Sequence, residues 1–330
     1  MTLKTLDVVG IGNAIVDVIA PADDAFLEKH GMTKGSMMLI DEERAEQIYQ
    51  AMGSTVITSG GSAGNTIAGI ASLGGKTGFI GRVREDALGT AYRHDITAAG
   101  ATFSTPAATD GPATARCLIL VTPDAQRTMN TFLGACVNLG PDDVDAELVR
   151  SAAVTYLEGY LYDAPTAMEA FHRASEIAHE AGRKVALSLS DAFCVNRHRD
   201  DFKQLVDHHV DILFANESEI LALFETSKLD EAIDKLRGMV DIAAITRGAH
   251  GSTVVTKEQT IEVTAAPVAH VVDTTGAGDL YAAGFLYGYT HDAPMHECAR
   301  LGSLVAAEII AHFGARPQTP LEALARSLSL

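Results

Sequence analysis

The sequence predicts an α/β fold: a mostly parallel central sheet flanked by helices, with a small β-sheet lid over one edge. Three observations carry this. Short β-branched runs alternate with longer amphipathic stretches along most of the 330 residues, the rhythm of strand–helix–strand units. Many of the short runs are apolar without alternation, as strands covered on both faces must be. Two stretches, about 15–40 and 102–131, break the rhythm with strand-like segments and no long crossover helix. The whole chain, 1–330, therefore reads as a single domain with these two stretches inserted as lid segments.

In chain order, 6–11 (Leu-Asp-Val-Val-Gly-Ile) is the first strand. The first lid segment holds strand-like stretches at 17–20 and 36–40 around a short helix. A helix over 63–73 runs into Gly74-Gly75, whose backbone freedom suits a helix end, and a strand over 76–80 follows. A helix covers 86–99. The second lid segment is rich in Thr, with a strand at 116–122. Strands are expected at 154–157, 184–189, 211–215 and 242–246, separated by helices over 165–181 and 218–224. Residues 251–263 read as a hairpin turning near 257–259. A strand at 268–272 and helices over 277–289 and 295–311 close the chain.

Lys and Arg total 25 against 43 Asp and Glu, a formal net charge of -18. Such a surface repels nucleic acid and anionic membranes, so the expected partners are small molecules. Any phosphate must then be held by a local feature, and helix N-termini and Gly-rich loops supply one. No apolar run reaches the length of a membrane span. Residues Met1–Leu6, with Lys4, show no leader cleavage pattern. The four cysteines (117, 136, 194 and 298) form no Cys-x-x-Cys pair and read as reduced thiols. Together these predict a cytoplasmic enzyme, monomeric or a homodimer paired through the lid edges.

The most informative segment is Asp273-Thr274-Thr275-Gly276-Ala277-Gly278-Asp279. Three small residues stand where a helix begins. The first N–H groups of a helix lack internal partners, the macrodipole adds partial positive charge, and small side chains let an anion come close. Asp279, in the first turn, is expected to stay ionised in that field and to accept the proton of an attacking hydroxyl. A plain helix start with a dipole-complementing Asp fits the same residues.

This segment resembles the C-terminal signature of the ribokinase-like, or PfkB, carbohydrate kinases, and the resemblance spans nearly the whole chain. It implies ATP and Mg2+ as cofactors, Asp279 as catalytic base, and Gly276, Ala277 and Gly278 as anion hole. Gly60-Gly61-Ser62-Ala63-Gly64-Asn65 resembles the N-terminal signature, implying substrate contacts from Gly60, Gly61 and Asn65. Relatives usually carry Gly where this chain has Arg84; that side chain is expected in solvent.

Gly10-Ile11-Gly12-Asn13-Ala14-Ile15-Val16-Asp17 is not a dinucleotide fingerprint, because Ile15 holds the third Gly position. By resemblance Asn13 and Asp17 bind substrate, Asp17 accepting from a vicinal diol. Gly75-Lys76-Thr77 follows a helix instead of opening one, so it is no P-loop. Asn216-x-x-Glu219 forms a capping box by its residue types; by resemblance Asn216 and Glu219 organise magnesium and its waters. The resemblance also implies that Thr246, Gly248 and Gly251 line the nucleotide. Phe313-Gly314-Ala315-Arg316-Pro317 resembles the family's adenine-side loop, which implies that Gly314, with Asp273 and Thr275, would take part in a monovalent-cation site such as one for K+. Arg127, at the end of the lid, either reaches the transferred phosphate or is solvated. The histidines, including His172, His179, His208 and His209, read as surface residues.

Segments 188–193 and 127–135 resemble the nucleoside kinases of the family most, adenosine kinases in particular. The implied reaction is transfer to the 5′-hydroxyl of adenosine, giving AMP. A purine needs an apolar slot, for which Met37, Met38, Ile40, Leu133, Tyr160 and Tyr162 are the candidates. The alternatives are a kinase of ribose, fructose or a related sugar, and a non-catalytic nucleotide-binding protein.

Overall fold

The computed structural model describes residues 5–124 and 126–328; residues 1–4, part of the stretch searched for a leader, lie outside them. The strands are β1 (Leu6–Ile11), β2 (Val16–Pro21), β3 (Met37–Leu39), β4 (Val56–Ser59), β5 (Thr77–Ile80), β6 (Ala101–Thr102), β7 (Arg116–Val121), β8 (Arg127–Phe132), β9 (Ala152–Glu158), β10 (Lys184–Ser188), β11 (Ile212–Asn216), β12 (Ile242–Thr246), β13 (Ser252–Thr256) and β14 (Thr260–Val263).

Nine of them form one sheet in the order β14-β13-β12-β11-β10-β9-β1-β5-β6. From β6 to β12 every pairing is parallel; the β12–β13 and β13–β14 pairings are antiparallel. Alternate residues of its central strands feed two cores, one per face. Val154, Tyr156 and Ala186 enter one, and Leu157, Val185 and Leu187 the other. That explains apolar runs without alternation. Each fully buried large side chain contributes about 1.5–3 kcal/mol, so charging a central strand position would be costly on either face.

Helices Ser62–Ser72 and Ala277–Thr290 cross closely on one face of this sheet. Gly69 permits it: a Cβ there would stand 2.6 Å from Leu280 Cδ1 and 2.8 Å from Ala283 Cβ. This crossing brings the starts of the two helices together.

The lid is a second sheet of five strands, β3-β8-β7-β2-β4. It is wider than predicted, because β4 lies beyond the 15–40 segment, and residues 101–102 pair with β5 of the main sheet. Its outer face (Val16, Val18, Leu118, Leu120) shares a core with Ala45 and Ile48 of helix Glu42–Ala51. The predicted strand at 268–272 is absent. That segment is irregular chain with Val271 and Val272 exposed, held by the Val272 N–H to the Ile310 carbonyl. Its β-branched run has no strand to pair with. Among the described residues no helix is long and apolar enough to cross a membrane, and all four cysteines are free and buried.

Candidate active site

β1, β9, β10, β11 and β12 run parallel, and their C-terminal ends face a cavity of about 380 Å³ roofed by the lid. In a parallel sheet that edge is where loops and helix starts converge on a ligand.

The Gly276 turn forms its floor. Gly276 has φ 79°, a left-handed conformation that favours glycine, and a Cβ there would lie 2.6 Å from Ala315 Cβ. The Ala277 N–H donates to the Thr274 carbonyl at 3.2 Å, so not all three amides are free as expected. Gly278 and Asp279 keep N–H groups without a backbone partner among the described residues, and Gly278 borders open space.

Asp279 follows at once. Its Oδ1 accepts from Ser62 Oγ at 2.6 Å and its Oδ2 from Asn65 Nδ2 at 2.9 Å. Burial pushes its carboxyl above the usual range, against the two hydrogen bonds and the Arg316 guanidinium. The local field therefore does not dominate, contrary to expectation; desolvation outweighs it.

Facing it across the cavity is the lid's inner face. In register, Asp17 lies beside Cys117, Cys117 beside Thr131, and Ile119 beside Met129. These five, with Ile15, form the roof. Asp17 meets no hydrogen-bond donor among the described residues, and burial raises its carboxyl to about 6, opposed by Arg316 and Arg127. Gly60 is glycine for a visible reason: a Cβ would stand 2.6 Å from the Asp17 carboxyl.

Of the expected site residues, Asp17, Gly61, Asn65, Asn216, Glu219, Thr246, Gly276, Ala277, Gly278 and Asp279 line the cavity. Asn13 does not. It is buried, and its Nδ2 donates to Glu158 Oε1 at 2.6 Å, so its amide serves the turn beneath the site. Gly60, Leu133, Gly248, Gly251 and Gly314 also fall outside the lining. At Gly251 a Cβ would strike the Val263 carbonyl at 2.0 Å, a hairpin reason for the glycine. In the expected apolar slot only Tyr160 lines the cavity. Met37 and Met38 are exposed on the lid edge, and Tyr162 stacks on Phe202 in the core. The pleat turns Ile119 and Met129 inward instead.

Arg127 is neither solvated nor free for a phosphate. Its guanidinium pairs with Asp273 Oδ2 at 3.0 Å. The same carboxylate accepts from the Gly314 N–H at 3.0 Å and from Thr275 N and Oγ1. With Arg127 on it, Asp273 does not fit a K+ site. Arg84 donates to the Gly111 carbonyl at 2.6 Å, at the surface. His179 lies 2.9 Å from Asp211, an acidic contact not anticipated.

Glu219 Oε2 accepts from the Asn216 N–H at 2.9 Å and Asn216 Oδ1 from the Glu219 N–H at 2.9 Å, a complete capping box. Burial, with Asp191 and Asp279 nearby, raises the Glu219 carboxyl to about 7. No group of three or more His, Cys, Asp or Glu among the described residues makes a metal cage. The residues suit an ion that keeps its waters and leans on nucleotide phosphates.

Three residues were missed. Ser62 sits inside the quoted glycine turn. Glu158, a carboxylate at the C-terminal end of a parallel strand, accepts from Asn13 and from the Ala63 N–H at 2.8 Å; its position was the available signal. Arg316 lies in a quoted loop, with nothing local to mark it.

The family described as pfkB family carbohydrate kinase matches residues 10–322. The crystal structure of adenosine kinase from Sinorhizobium meliloti is 50% identical, with a TM-score of 0.90 over 98% of this chain and 99% of that one. A probable sugar kinase protein from Rhizobium etli CFN 42 is 46% identical, with a TM-score of 0.91 over 99% of both chains. The adenosine kinase of Saccharomyces cerevisiae is 25% identical over 98% of this chain and 99% of its own length.

Proposed function

Because the chain belongs to the pfkB family of carbohydrate kinases, a phosphotransferase acting on the hydroxyl of a nucleoside or sugar, we propose that its acceptor is the 5′-hydroxyl of adenosine and its product AMP. The observation that carries this reading is the roof of the cavity. Ile15, Ile119 and Met129 present an apolar surface beside a lone carboxylate, Asp17. A purine fills an apolar slot while its ribose diol donates to the carboxylate. A free sugar would leave that surface unused. The likeness to the Sinorhizobium adenosine kinase supports the same reading.

In this reading Asp17 and the Gly61 turn hold the ribose, and the lid excludes water that would otherwise take the phosphoryl group. Asp279 accepts the 5′-hydroxyl proton as the oxygen attacks the γ-phosphorus of ATP. Ser62 and Asn65 orient its carboxylate and help keep it ionised. The free Gly278 and Asp279 amides receive charge developing on the moving phosphoryl. Asn216 and Glu219 are the residues that would hold magnesium through its waters, and the ion when bound neutralises phosphate charge. A cation there fits a carboxyl that burial and two neighbouring carboxylates have raised.

The test is ADP release with magnesium–ATP and equal concentrations of adenosine, inosine, ribose and fructose. Turnover with adenosine far above the free sugars is the expected result. Turnover with ribose or fructose instead keeps the phosphotransfer and overturns the acceptor, favouring the sugar-kinase reading.

A further inference from the structure

Arg316 is a partly buried cation that makes no ion pair among the described residues. Its Nε donates to the Ser59 carbonyl at 3.1 Å, Nη2 to Ser59 Oγ at 3.1 Å, and Nη1 to the Gly64 carbonyl at 2.7 Å. All three acceptors are neutral. Burying a charge on neutral partners alone is expensive, so the position calls for a reason beyond packing.

Its surroundings supply one. Ser59 and Gly64 bracket the turn that carries Gly60, Gly61 and Ser62, and Ser59 is also held through its N–H by Asp95 Oδ2 at 3.0 Å. The residue before Arg316, Ala315, abuts the Gly276 turn from the other side. The Ala315–Arg316 pair thus joins the two turns: the guanidinium holds the Gly60–Ser62 turn, and Ala315 packs on the Gly276 turn. Its charge faces Asp17 on β2, Tyr92 and Asp95 on helix Ala87–Ala98, and Asp279 on helix Ala277–Thr290. Arg127 also faces Asp17. Toward Asp279, Arg316 is the cation that acts. Glu158 faces Asp279 with like charge, as does Glu219.

We propose that Arg316 is a positioning residue for phosphotransfer: it clamps the Gly60–Ser62 turn against the Gly276 turn and supplies the positive charge that keeps Asp279 ionised. The inference rests on Asp279 being the base. Two variants separate the functions. Arg316→Gln removes the charge, and Arg316→Lys keeps it while losing the planar fork that reaches both carbonyls.

The experiment is the pH profile of kcat/KM for adenosine with magnesium–ATP, with folding checked by thermal unfolding. A base must be deprotonated, so activity falls as pH drops through its pKa. Loss of a nearby cation raises that pKa and moves the acid limb to higher pH. For Arg316→Gln the expected loss is about tenfold on the acid limb and distinctly smaller on the alkaline side of the profile. For Arg316→Lys the acid limb stays with the native enzyme while the KM for adenosine rises. A Gln variant that folds with an unmoved acid limb overturns the proposal. If the Gln variant does not fold, a Lys variant whose acid limb moves, or whose KM is native, overturns it. Asp279→Asn distinguishes the two levels. Full turnover there removes the base assignment itself, whereas an inactive Asn variant beside an unmoved Arg316→Gln profile removes only the role of Arg316.

Discussion

Two helices begin at the same edge of the main sheet, and their first turns solve one problem in opposite ways. Both leave N–H groups without intrahelical partners. At helix Glu217–Phe224, Asn216 and Glu219 turn back and fill each other's donors. At helix Ala277–Thr290, Gly276 has no capping side chain, and the first-turn carboxylate, Asp279, reaches away to Ser62 and Asn65. The first helix start is closed by its own residues. The second leaves the Gly278 and Asp279 donors without a backbone partner among the described residues and lends its acid to another element. Glycine at a helix cap costs only a few tenths of a kcal/mol relative to asparagine, so the Gly276 turn gives up a little stability that the Asn216 turn keeps.

The largest effect should come from the lent acid. Asp279→Asn is expected to lower kcat about 10³-fold, the range for loss of a general base, while calorimetry shows nucleotide binding retained. Near-native kcat would remove the base assignment. Next is Gly276→Ala, which forces φ 79° on a residue with a Cβ and presses it against Ala315. A fall in kcat of about 10²-fold is expected from misplaced anion-hole amides; an unchanged kcat would show the open turn to be only a helix start. On the closed side, Asn216→Ala should cost about 1 kcal/mol in urea unfolding and reduce kcat less than Gly276→Ala does. A reversed order would mean that the two turns have been given the wrong roles.

The smallest effect is on the pH dependence of stability. Glu219 and Glu158 are raised from 4.5 to about 7 by burial. Between those values the folded chain binds protons that the unfolded chain has lost. Stability from these groups is therefore present below about pH 4.5 and is lost as pH rises through about 7. Urea unfolding at pH 5 and pH 7.5 should show the native protein weaker at the higher pH, and Glu219→Gln should narrow the gap. An equal gap would place the Glu219 shift elsewhere.

The parallel strands and long helices were legible because each is a local pattern. A strand covered on both faces is apolar throughout, and Gly-Ala-Gly before an amphipathic run marks a helix start whatever surrounds it. The lid was legible only as a break in that rhythm. Which of its residues face the cavity depends on the pairing of β2, β7 and β8, and a one-residue slip would turn Ile119 and Met129 outward. For that reason residue type alone points to Met37, Met38, Ile40, Leu133, Tyr160 and Tyr162, of which only Tyr160 lines the cavity. Asn13 shows the same limit. Its residue type suits a sugar contact, but Glu158, 145 positions away, claims its amide.

The sequence alone thus determined the fold class, the glycine-rich helix start at Gly276 and the place of Asp279 in its first turn, because spacing of a few residues encodes helix starts and strand cover. Only the tertiary structure decided that Asp279 is held by Ser62 and Asn65, that Asp273 is taken by Arg127, and that Arg316 reaches under the glycine turn. Those contacts join segments up to 257 positions apart. Their partners are chosen by how helices cross and strands register, and no local pattern in the chain carries that information.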